Sequence, residues 1–135
     1  MESYKFFYAN GVPKNEKKAK KLCLKSCYRG NKFAKGMKYY FGWETKKNEK
    51  KAFQLFTDSL NEDPSFQSPD TSYSLNFIAF MHYNGRGDLK VDILKAIQLY
   101  EKAFLLNNSS AMFNLAIIYE EGKEGFIFFH LFFIF

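Results

Sequence analysis

Cysteine is scarce in this 135-residue chain: Cys23 and Cys27 are the only two. That excludes the disulfide-dense class of small secreted scaffolds. The pair lies four residues apart on one expected helix, a poor geometric fit for a disulfide, and a thiol at a core position behaves as a small hydrophobe. A single CxxxC with no nearby His and no second pair is also too little for a zinc site. Histidine is limited to His82 and His130. No acid–base pair and no metal-ligand constellation is visible, and no Ser-x-x-Lys is followed by a suitable partner motif. The chain therefore reads as a non-enzyme, with no catalytic, cofactor-binding or metal residues and no cofactor. The N-terminus, MESYKFFYANG, lacks an apolar h-region and a small-residue cleavage site. No secretory signal is expected, and a cytoplasmic location is. No run of apolar residues reaches the roughly 20 needed to span a bilayer.

What the chain has in excess is Phe, with 17 residues, and positive charge, at net +6. The charge is uneven. Residues 1–60 carry 15 Lys and Arg against 5 Asp and Glu, whereas residues 61–135 carry 5 against 9. Such asymmetry marks either a polyanion-binding surface or a Lys-rich solvated helix face.

A short run of residues returns three times. Asn15-Glu-Lys-Lys-Ala19 recurs as Asn48-Glu-Lys-Lys-Ala52 and, altered, as Asp92-Ile-Leu-Lys-Ala96. Leu22, Leu55 and Leu99 follow each alanine by three, then Cys23, Phe56 and Tyr100 by four. Small Ser26, Ser59 and Ala103 come at seven, and apolar Cys27, Leu60 and Phe104 at eight. This spacing is one face of a helix, capped by Asn15, Asn48 or Asp92. It predicts B helices over 15–29, 48–60 and 92–106. Before each lies an expected A helix: a fragment near 3–9, then 32–41, then Ser74–His82; a last A helix, Ala111–Tyr119, has no B helix after it. Ala79 and Ala116 hold one small position, where helices approach closely. Gly42, Gly85 and Gly122 mark the turns. Pro64 and Pro69 make Asn61–Ser72 read as a loop. Units of this length cannot each bury a core alone and must stack on one another.

The third unit carries the family signature. Ala79-Phe-Met-His-Tyr-Asn-Gly-Arg-Gly87, followed by Asp92, Lys95-Ala96, Leu99-Tyr100 and Lys102-Ala103, resembles the Sel-one-like repeat, a relative of the tetratricopeptide repeat. The other units match through Gly11-Val12 and Lys18-Ala19, through Gly42 and Lys51-Ala52, and through Asn114-Leu115-Ala116 and Gly122. Departures are Ala9 at the first turn glycine, Asp88 inserted after Gly87, and a second A helix about three residues short. The resemblance implies an all-α, right-handed solenoid of antiparallel helix pairs, about three repeats plus a partial one, over residues 1–122. It also implies a non-catalytic scaffold or adaptor that binds other proteins. Some bacterial members with a cysteine pair in every repeat have been linked to β-lactam binding, a pattern this chain lacks.

The competing function is polyanion or nucleic-acid binding by Lys17, Lys18, Lys20, Lys21 and Lys25 with Lys32, Lys35 and Lys38. Tyr39, Tyr40, Phe41 and Trp43 would then be candidates to stack bases. The reading preferred here packs those aromatics into the inter-repeat core, and it places His82 as a packed ring rather than a general base. Protein-binding residues are not legible in the pattern. Residues 123–135 form a hydrophobic tail outside the repeat, ending in FIFFHLFFIF. Either it caps the last helix, or it is foreign to the fold, as a truncated reading frame would produce. Its lack of the repeat's Asp, Lys-Ala and Leu positions favours the second.

Overall fold

The computed structural model describes residues 16–121. Among them are six helices and no strand, with 72% of residues helical. They are α1 (Glu16–Tyr28), α2 (Lys32–Phe41), α3 (Glu49–Asn61), α4 (Pro69–Asn84), α5 (Ile93–Leu105) and α6 (Ser109–Glu120). Each helix packs chiefly on those before and after it in the chain, as stacked repeats require. The expected B helices correspond to α1, α3 and α5, and the expected A helices to α2, α4 and α6. The fragment at 3–9, the cap Asn15 and the tail lie outside the described residues.

The capping chemistry explains the boundaries. The Asn48 side chain accepts from Lys51 N at 3.0 Å, and Asp92 accepts from Lys95 N at 3.0 Å. Asn31 and Asn108 do the same for α2 and α6, at 2.7 and 3.0 Å. Each satisfies one of the amides that a helix start leaves without an internal partner.

The turn from A to B helix is the same in two units. Gly42 and Gly85 both take the left-handed conformation, at φ 71° and 64°. The next residue donates back to the A helix, Trp43 N to Lys38 O and Arg86 N to Met81 O, both at 2.9 Å. Then Asn48 N reaches Tyr39 O at 2.9 Å, and Asp92 N reaches His82 O at 2.8 Å. These bonds close the helix ends in a glycine-dependent cap. They also set the two units in register, with Gly36 opposite Ala79. A Cβ on Gly36 would meet Phe56 Cε1 at 2.5 Å. The small position of the second unit is therefore glycine, because the Phe56 ring lies against the α2 backbone. The inserted Asp88 is absorbed as a left-handed residue, at φ 65°. The shortness of α2 is at its N-terminal end, since its C-terminal turn is in register.

One expected boundary is corrected. The loop read over 61–72 spans only 62–68, because α4 starts at Pro69. Proline is well suited to the first helical position, where its missing N–H costs nothing. Ser68 caps the helix through Asp70 N. Asp63 organises the short connection by accepting from Gln67 N and Ser68 N, at 3.2 and 2.8 Å, and from the Thr71 hydroxyl. These bonds hold its carboxyl below the usual range, led by the one from Thr71.

The core runs through α3, α4, α5 and α6. Ala52, Phe56, Ala96, Tyr100 and Ala103 are fully buried, as the stripe implies. So is Ile97, which the stripe omits. Helix α4 is buried at 11 of 16 positions, as a helix covered on several sides must be. Two stripe positions depart from expectation: Leu22 is 58% exposed and Phe104 is 44% exposed. On α1 the buried face is instead turned toward Leu24 and Cys27. Phe104 stands on the last described B helix, so no later unit among the described residues covers it.

Candidate interaction groove

Alternate helices share one face. Phe33 and Met37 of α2, Asp70, Tyr73, Asn76 and Phe77 of α4, and Ser110 of α6 line a groove of about 230 Å³. Its walls are mainly rings and a thioether. Phe33 sits 5.9 Å from Phe77 and 6.1 Å from Tyr73, ring centre to ring centre. Phe77 in turn stacks on Phe56 at 4.7 Å, which ties the groove floor to the core. Tyr73 is 48% exposed, so its ring is presented to solvent on a firm base.

Polar pairs hold the three helices in line. Asn31 at the head of α2 donates to the Asp70 carboxylate at 2.9 Å. Asn108 at the head of α6 donates to Ser72 Oγ at 3.2 Å. Midway, buried Asn114 donates to Asn76 Oδ1 at 2.9 Å. Buried amides are stable only when bonded, and these bonds fix the lateral register of α4 against α6.

His82 is half-buried, edge-on to Phe53 at 5.8 Å, which is the packed ring expected. Burial and the nearby Lys95 push its pKa down. Cys27 is buried and Cys23 half-buried, both as free thiols. Burial raises the Cys23 pKa to about 11, which disfavours the reactive thiolate. Among the described residues no cluster of His, Cys, Asp and Glu is placed to hold a metal ion. No described helix is long and apolar enough to cross a membrane.

The aromatics of residues 39–43 are packed. Tyr40 is 3% exposed and meets Phe77 edge-on at 5.4 Å, while Phe41 stacks on Trp43 at 4.8 Å. Tyr39 is partly buried beneath Lys51, whose Nζ lies 4.3 Å from the ring centre. Of the lysines in the basic half, Lys32, Lys47 and Lys50 pair with Glu62, Glu49 and Asp88. The groove residues were not singled out by the sequence. The signal available was the four-residue spacing of Phe33 with Met37 and of Tyr73 with Phe77, which puts each pair on one helix face.

Alternating helices with a repeated turn and one shared groove define a helical repeat protein. The Sel1 repeat model matches the chain over residues 6–31, 36–57, 72–108 and 109–128. The chain belongs to the Sel1 repeat family. Such repeats generally mediate protein–protein interaction and are typically non-catalytic. No curated protein and no solved structure matches the chain at significant similarity.

Proposed function

We propose that this protein is a non-catalytic scaffold or adaptor that takes a segment of a partner protein into the groove formed by α2, α4 and α6. The observation that carries the reading is the groove itself: an apolar strip shared by three units, with exposed Tyr73 at its wall. An apolar side chain of the partner, seated between Phe33, Met37 and Tyr73, would anchor it. Aromatic anchors in such clefts supply most of the binding energy at protein interfaces. Asp70 offers a carboxylate at the same wall for a partner's N–H groups. Right-handed stacking of antiparallel pairs, as the family resemblance implies, would make the groove part of an extended inner surface. Free thiols at Cys23 and Cys27 suit a reducing compartment such as the cytoplasm.

The test is selection of peptides from a random library on the immobilised protein, followed by titration against variants. Tyr73→Glu should weaken the selected peptides at least about tenfold, the size of a modest anchor. Lys102→Ala, on an exposed face of α5, should leave them unchanged. Peptides that bind Tyr73→Glu as well as the unchanged protein would place the binding surface elsewhere.

A further inference from the structure

We propose that Cys23 and Cys27 of α1, together with Met37 of α2, form a binding site for a soft monovalent metal ion, Cu(I). The geometry begins with a sulfur–sulfur contact between the two helices. Cys23 Sγ lies 3.9 Å from Met37 Sδ, and its thiol also donates toward Ala34 O at 3.6 Å. Three sulfurs each about 2.3 Å from one ion, in a plane around it, stand about 4.0 Å apart. The Cys23–Met37 pair thus has the separation of one edge of such a triangle. Cys27 is placed to supply the third corner. It follows Cys23 by one helical turn, where Cβ atoms stand about 5–6 Å apart, and rotation about χ1 moves each sulfur between staggered positions. Both thiols are free. A tight turn holds α2 against α1 beside them: Gly30 takes φ 89°, its N–H donates to Cys27 O at 3.0 Å, and Asn31 N donates to Ser26 O at 3.2 Å.

The donor set selects the ion. Thiolate and thioether are soft ligands that favour Cu(I), whereas structural zinc takes four ligands in a tetrahedron. Among the described residues no three of His, Cys, Asp and Glu gather at one point, so a harder ion finds no complete set. Burial, then the neighbouring Cys27 and Asp70, raise the Cys23 pKa to about 11. An ion that binds must therefore displace the thiol protons. Both protons pass to solvent, each sulfur forms a bond to copper, Met37 gives a lone pair, and copper keeps its oxidation state. The loaded site carries one negative charge, which Lys20, Lys21 and Lys25 on the same helix offset. Half-buried Cys23 leaves an entry path, while Cys27 is buried. The CxxxC pattern alone reads as two core thiols, because the third ligand is a methionine on the next helix. Met37 also lines the groove, but the metal site does not depend on what the groove binds.

The experiment titrates the reduced full-length protein, without oxygen, with Cu(I) supplied as its acetonitrile complex in competition with bicinchoninate. Uptake of one ion per chain is expected, with X-ray absorption showing three sulfurs at about 2.3 Å. Cys27→Ala should weaken binding on the order of a hundredfold or more, since even the loss of an outer-shell partner costs about 10–100-fold. Met37→Leu conserves volume and should leave the fold intact, yet reduce the sulfur count to two and weaken binding at least about tenfold. Three results each overturn the proposal: no uptake against bicinchoninate, Cys27→Ala binding as tightly as the unchanged protein, or a two-sulfur site that Met37→Leu leaves unaltered.

Discussion

Glu44 and Gly87 occupy the same step of successive A-to-B turns, and both have positive φ, at 56° and 64°. At Gly87 a Cβ would meet Glu49 O at 3.1 Å, so the turn lies close on the start of α3. Glu44 holds the strained conformation with a side chain attached, which costs about 1–2 kcal/mol in the left-handed region. A bond from the Tyr28 hydroxyl to its carboxylate, at 2.9 Å and solvent-exposed, offsets part of that cost. Glu44→Gly is therefore expected to raise stability by roughly 0.5–1 kcal/mol, read as a higher denaturation midpoint. A lower midpoint would mean that the Tyr28 bond outweighs the strain. Ala96 is fully buried where α5 faces its neighbours, while Lys102 is exposed. Ala96→Phe should cost about 1–3 kcal/mol by overpacking, and Lys102→Phe much less. Equal shifts in thermal melts would show the α5 stripe to be rotated. His82 adds a pH dependence. Its folded pKa lies below the ordinary 6.5, chiefly through burial. Below about pH 6.5 the unfolded chain takes up a proton that the folded chain resists. The contribution of His82 is thus present above that pH and is lost as pH falls through the lowered folded value. Between pH 7.5 and 5.5, His82→Gln should lose less stability than the unchanged protein in paired denaturant titrations. Parallel losses would remove His82 as a contributor.

At the scale of the element, caps and stripes make most helices legible in the sequence. Asn48 and Asp92 announce α3 and α5, and both side chains bond the amide three residues on. Removing either by alanine should cost about 1 kcal/mol, measurable as a shift in urea midpoint. The start of α4 was not legible, because Pro69 serves equally as a loop marker and as a first helical residue. What decided it was Asp63, whose carboxylate gathers the amides and hydroxyls of the following turn. Ile97 lies one residue to the side of the repeat's stripe, yet is fully buried, because a buried helix shows a wider apolar face than its repeat motif. The groove was illegible for a different reason. It is assembled from three helices tens of residues apart, and no single unit contains it.

Across the whole molecule, the basic N-terminal half and the apolar groove are different surfaces with different partners in view. The lysines of α1 sit on exposed or half-buried positions, and such a face is common on soluble helices. The groove is the less ordinary feature, since it joins three units through rings anchored in the core. The most direct measurement is amide chemical-shift mapping of the labelled protein with a peptide selected on it. Shifts are expected to concentrate at Phe33, Met37, Tyr73, Phe77 and Ser110, with α1 silent. Shifts concentrated on Lys17–Lys25 of α1, with the groove silent, would contradict it.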